Sequence, residues 1–134
     1  MDNQNGLCNI KKLHGKGNHL IIDGYSSSNK LLKDVEGIKK LLINLPKKIG
    51  MRAISRPLVI AYKAKSKDNS QNGITGTVIL AESNITIHTY PKFNFFCLDI
   101  FSCNEFPIKN TIDYLTNKLK IIKYEKKLLK RGFY

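Results

Sequence analysis

The order of helix and strand signals along this 134-residue chain predicts an α+β fold, a two-layer sandwich. Its sheet is expected to be mostly antiparallel, with helices on one face. Two amphipathic helical stripes, separated by three strand-like runs in close succession, carry that prediction. The length suits one domain, residues 1–134, with a hydrophobic core of its own. A hydrophobic share of 42% and a charged share of 25% fit a soluble globular chain.

After a polar start, His19 to Tyr25 reads as a first strand, and alternation puts His19, Ile21, Asp23 and Tyr25 on one face. Ser26-Ser27-Ser28-Asn29 then offers N-cap candidates. One helix is expected next, because Leu31, Leu32, Val35, Ile38, Leu41, Leu42 and Leu45 recur at three- and four-residue steps. Pro46 and Gly50 bracket its end. Leu58 to Tyr62 reads as a strand with Pro57 at its start, and the polar stretch from Lys63 to Gly73 reads as a loop.

Thr77–Ala81, Ile85–Tyr90 and Phe95–Ser102 form the densest strand signal and predict an antiparallel meander. Only Glu82-Ser83-Asn84 separates the first two runs, which predicts a tight turn there. A last helix from about Pro107 carries Ile108, Ile112, Leu115, Leu119 and Ile122. The basic tail after Ile122 reads as an extension of that helix or as a frayed, solvated end.

No stretch reaches the length of a membrane-spanning helix, and the N-terminus lacks the apolar run of a secretory signal, so the cytoplasm is the expected location. Cys8, Cys97 and Cys103 cannot all pair within one chain, and none has a CxxC partner. This argues against a disulfide framework and against a structural zinc site; no metal is expected. The net charge of +13 is unusual. It favours anionic partners in general, but the lysines are spread along the chain without a nucleic-acid-binding module. Biased composition explains the charge equally well, and nucleic acid is not the expected main partner.

The chemistry concentrates between Gly73 and Pro91. A serine, Ser83, sits at the predicted turn between two strands, and a histidine, His88, follows five residues later. In a regular strand the two would face opposite ways, so their meeting requires a kink at Ser83-Asn84. On spacing alone, the favoured reading is that Ser83 is a turn residue and His88 an ordinary strand histidine, since no nucleophile elbow surrounds them.

The whole string is more specific. Gly73-Ile74-Thr75-Gly76, a short apolar run, then Glu82-Ser83-Asn84-Ile85-Thr86-Ile87-His88-Thr89-Tyr90-Pro91 closely resembles the self-processing segment of the small prokaryotic S-adenosylmethionine decarboxylases. That segment reads G-(V/I)-S-G, four or five apolar residues, then E-S-H-(L/I)-(T/S)-I-H-T-W-P-E. Asp99-Ile100-Phe101-Ser102-Cys103 resembles the family's D-(I/V/L)-F-(T/S)-C, and Gly17 to Tyr25 resembles its opening G-x-H-L strand. These blocks stand in the family's order.

The resemblance implies an α+β enzyme with a pyruvoyl cofactor generated from Ser83 and no metal. The Ser83 hydroxyl would attack the Glu82 carbonyl, and elimination and hydrolysis would leave residues 1–82 and a pyruvoyl-capped chain from 83 onward. A strained turn suits that step. By resemblance, His88 moves a proton during processing, and Thr75 replaces a serine that supports it. The pyruvoyl ketone would form a Schiff base with the substrate amine and act as electron sink. Cys103 matches the cysteine that reprotonates the product carbanion; its other reading is a small buried apolar residue. Tyr90, Lys92 and Asp23 fall at substrate-binding positions, and relatives of this size work as homodimers with sites near the subunit interface.

Four positions depart from the pattern. Asn84 replaces histidine, Thr75 serine and Tyr90 tryptophan, each keeping a related property. Lys92 stands where the family has a glutamate that accepts the ribose hydroxyls, and an ammonium only donates. Three functions follow. The first is decarboxylation of S-adenosylmethionine for spermidine and other polyamines. The second is a pyruvoyl-dependent decarboxylase of a simple amino acid such as ornithine or arginine. The third is an inactive basic scaffold or binding subunit.

Overall fold

The computed structural model describes residues 17–65, 67 and 69–132. Cys8 and the two last residues, Phe133 and Tyr134, lie outside that description. Six strands form one sheet in the order β2-β3-β4-β5-β1-β6, every neighbouring pair antiparallel. Strand β1 spans Gly17–Ser26, followed by helices α1 (Asn29–Leu32) and α2 (Val35–Lys48). Strands β2 (Leu58–Tyr62), β3 (Gly73–Leu80), β4 (Ser83–Tyr90) and β5 (Phe95–Ser102) come next, then helix α3 (Ile108–Leu119) and strand β6 (Ile121–Arg131). Among the described residues, no helix is long and apolar enough to cross a membrane.

Both longer helices lie on one face of the sheet, and the core forms between the layers. Ile38, Leu41, Leu42 and Leu45 of α2 and Ile112, Leu115 and Leu119 of α3 are buried against it. The sheet answers with alternate residues: Leu20 and Ile22, Val78 and Leu80, Ile85 and Ile87, Leu98 and Ile100, none more than 1% exposed. The two-layer α+β architecture is therefore the one the periodicities predict. Among the described residues, the other sheet face has no helix on it.

Three local expectations are corrected. The single helix expected from Leu31 to Leu45 is broken at Lys33-Asp34. Ser28 caps α1 by accepting from the Leu31 N–H at 3.3 Å, and Asp34 caps α2 by accepting from the Gly37 N–H at 3.0 Å. Asp34 adopts an extended backbone to do so, which ends one helix and starts the next. A Cβ at Gly37 would lie 2.6 Å from the Asp34 carboxylate, so a larger residue there would push the capping group aside.

The turn between β3 and β4 is Ala81-Glu82, shorter than expected, and Ser83 is already the first residue of β4, paired with Leu80. Glu82 carries the tight reversal at φ 64°. The basic tail is neither helix nor frayed end: Lys120, at φ 50°, reverses the chain, and β6 then pairs along β1 from Ser26 back to Gly17. β6 escaped notice because lysines occupy both of its faces, leaving no alternation to read.

Candidate active site

The residues singled out by sequence fall into two groups, at opposite ends of the sheet. At one end, the β3–β4 turn presents the Glu82–Ser83 bond. Glu82 sits in the left-handed region, a conformation costing a non-glycine residue roughly 1–3 kcal/mol, and the strain lies directly before the serine. Ser83 is half-buried and pairs with Leu80 on one side and Ser102 on the other. Cys103 follows β5 at the same end. Burial pushes its thiol above its ordinary value, the nearby Glu82 carboxylate adds to the rise, and the Arg131 guanidinium opposes it. The structure thus brings Ser83, Glu82 and Cys103 together, with the thiol held protonated at neutral pH.

At the other end, on the open face, register aligns Thr75, His88, Cys97 and Asp23 across four strands. Thr75 Oγ1 and His88 Nδ1 share a hydrogen bond of 3.1 Å. Gly73 makes that approach of β3 to β4 possible, since a Cβ there would overlap the Thr89 carbonyl. Cys97 is pushed up to about 12 by burial first, then by its hydrogen bond to Asp23 and by the Asp23 and Asp99 carboxylates. Tyr90 lies on the same face. Its ring centroid is 6.0 Å from that of Phe95, which is 5.2 Å from Tyr25, giving an aromatic surface beside the polar row.

Ser83 and His88 do not meet within the chain. β4 runs regularly from Ser83 to Tyr90, paired with both neighbours from Ser83 to His88, and the kink that would join the two residues is absent. Ser83 shares the helix-covered side with Ile85 and Ile87, whereas His88 faces the open side. Five steps along the strand separate them, roughly 17 Å.

Lys92 stands apart from both groups. It is exposed in a short 3-10 turn, Pro91–Phe93, with its ammonium 5.8 Å from the Phe93 ring centroid. With Lys33 and Lys63 it lines a separate cavity of 390 Å³. Asp23 instead lines a cavity of 290 Å³ together with Tyr25, Phe95, Tyr124 and Glu125.

Sequence reasoning missed several neighbours of these sites. His19 Nε2 meets Asp99 Oδ1 at 2.9 Å on the open face. Alternation had placed His19 on the correct side, but its partner lies 80 residues away and only strand pairing reveals it. Phe95 and Tyr124 reach the Asp23 cavity from distant strands in the same way.

Known proteins resemble this chain in sequence and in fold. The family model described as S-adenosylmethionine decarboxylase matches residues 18–132. An S-adenosylmethionine decarboxylase proenzyme from Methanococcus vannielii is 35% identical over 117 residues, 87% of this chain and 89% of its own length. One of the same name from Brevibacillus brevis is 35% identical over 117 residues, covering 87% and 82%. The crystal structure of the adenosylmethionine decarboxylase from Aquifex aeolicus superposes with a TM-score of 0.72 at 27% identity, over 90% of this chain and 93% of that one. The match spans both ends of the sheet, from the start of β1 to the end of β6, and this chain belongs to the S-adenosylmethionine decarboxylase family.

Proposed function

We propose that the chain is a proenzyme that cuts itself between Glu82 and Ser83 and then decarboxylates S-adenosylmethionine, a step toward spermidine. The observation that carries the reading is the meeting of a strained Glu82, the Ser83 hydroxyl and a protonated Cys103 at one sheet end. Relatives named for that substrate support it over ornithine or arginine and over an idle scaffold.

Cleavage begins as Ser83 Oγ bonds to the Glu82 carbonyl carbon. The C–N bond breaks, and the hydroxyl proton passes to the freed nitrogen. Loss of the Cα proton then expels the Glu82 carboxylate, and hydrolysis of the remaining enamine releases ammonia and leaves a ketone on residue 83. The products are residues 1–82 and 83–134. The residues present fit a pyruvoyl cap: β4 stays paired to β5 from Ser83 onward, which holds position 83 against Ser102 and beside Cys103. That cap supplies a ketone for the substrate amine and an acceptor for the electrons left by CO2. Cys103 serves as proton donor to the product carbon.

The Thr75–His88 pair is roughly 17 Å from Ser83 and on the other face. A homodimer resolves this: a second copy, packed on the open face, brings its Thr75 and His88 to the first copy's Glu82–Ser83 bond. Leu58, Ile60 and Ile79 stand 60%, 53% and 53% exposed on that open face, apolar surface that packing would cover. The same end carries the substrate pocket in this reading. Tyr90, Phe95 and Tyr25 offer aromatic faces to the base. Asp23 accepts the ribose hydroxyls and faces the sulfonium, a role for which Lys92 has the wrong charge and the wrong place.

Two assays test this. Purified protein is expected to run as two fragments on a denaturing gel, with Ser83→Ala intact. Carbon dioxide should be released from S-adenosylmethionine and not from ornithine or arginine; the reverse preference overturns the substrate.

A further inference from the structure

One buried group, two strands across the sheet from Ser83, has no part in the steps above. Asn18 is 4% exposed, and its side-chain oxygen has no hydrogen-bond partner among the described residues. A buried acceptor without a donor costs folding free energy, so its persistence points to a use.

Its position in the sheet suggests which. Asn18 pairs with Ser102 across β1 and β5, and Ser102 pairs with Ser83 across β5 and β4. All three lie on the helix-covered face, alternating with the open-face residues of their strands. Directly opposed residues on one face keep their Cβ atoms about 5 Å apart. A row of three polar side chains therefore runs from the nucleophile to the orphan oxygen. Ser102, in the middle, is 0% exposed and already accepts the Asn104 N–H at 3.0 Å. A hydroxyl has one hydrogen and two lone pairs, so its hydrogen and one lone pair remain to be used.

We infer that Asn18 is a positioning residue for self-cleavage. As Ser83 turns to attack, Asn18 Oδ1, unpartnered in the resting fold, takes the Ser102 hydroxyl hydrogen, which turns the second Ser102 lone pair toward the Ser83 hydroxyl. Ser83 Oγ is thereby fixed in one rotamer beside the Glu82 carbonyl carbon. The row takes up no net proton; it restricts where the nucleophile points, and the hydroxyl hydrogen still ends on the freed nitrogen of residue 83. The inference rests on the self-cleavage proposed above.

The test is the cleavage rate of freshly synthesised precursor on denaturing gels, with thermal midpoints measured in a Ser83→Ala background so that every chain is uncut. Asn18→Leu removes the acceptor at similar size. It should cleave roughly tenfold more slowly, while its thermal midpoint stays level or rises because an unsatisfied buried oxygen is gone. Asn18→Asp keeps an acceptor oxygen and should cleave close to the wild-type rate. Adding Asn18→Leu to Ser102→Ala should slow cleavage no further than Ser102→Ala alone, since both act through one row. Wild-type cleavage with an unslowed Asn18→Leu overturns the positioning role and leaves self-cleavage standing. So does a slow Asn18→Leu whose midpoint falls, because that is the signature of a structural residue. A wild-type chain that never cuts overturns the underlying reading itself.

Discussion

The Glu82 end of the sheet holds a strained backbone, a hydroxyl and a protonated thiol, whereas the far end holds an imidazole with its hydroxyl partner, a carboxylate and three aromatic rings. Neither set is sufficient for the proposed chemistry. The first has the bond to be broken and no imidazole; the second has the imidazole and no bond within reach. The difference teaches that one regular strand keeps Ser83 and His88 apart, so that each end is at most half of the proposed site. In the proposed reading, completing a site falls to a second copy, whose sheet can run the other way.

The comparison breaks most completely at Ser83. Ser83→Ala should abolish cleavage and all decarboxylation, while leaving the fold intact, because Ser83 contributes little to the core. A cut chain in that variant would remove the Glu82 end from the chemistry.

The trans arrangement is tested by mixing half-sites. His88→Ala alone should cleave at least roughly 10²-fold more slowly. Co-expressed with Ser83→Ala, which supplies an intact His88, its own Glu82–Ser83 bond should cut again. No rescue in mixed dimers would mean that the two ends do not meet across copies.

At the Glu82 end, Cys103→Ala should leave cleavage complete and lower kcat for decarboxylation by about 10²-fold. In the wild type the acid form of the thiol is the working one. Because burial and Glu82 raise its pKa above the ordinary 9.0, the alkaline loss of activity should fall above that pH. A limb below it would assign the proton donor elsewhere. At the far end, Asp23→Asn should raise KM for S-adenosylmethionine about tenfold, the scale of a lost charge-assisted hydrogen bond, with little change in cleavage.

The smallest effect is on stability. The Cys97 thiol ionises near 9.0 when exposed and at about 12 in the fold. Between those values the folded chain keeps a proton that the unfolded chain loses, so stability declines as pH rises through that window. Cys97→Val should flatten the decline in alkaline denaturant titrations.

The parts of the molecule buried on one side were legible from periodicity alone. Leu41, Leu42 and Leu45 announced a helix, and Ile85, Ile87, Leu98 and Ile100 announced strands, because one wet and one dry face leave a pattern. Ser83, His88 and Cys103 were legible from motif blocks, without any indication of who meets whom. What escaped depends on pairing between distant segments. β6 has solvent on both sides, so its lysines hide a strand. The break at Asp34 leaves the apolar stripe continuous across two helices. The Asn18–Ser102–Ser83 row exists only through the register of three strands, and a buried asparagine in a sequence looks like any other.

The most direct measurement is the intact mass of the purified wild-type protein under denaturing conditions. Two species are predicted, one ending at Glu82 and one running from position 83 to Tyr134, the latter lighter than its serine-started form by one ammonia. A single species with the mass of all 134 residues would contradict the account at its root.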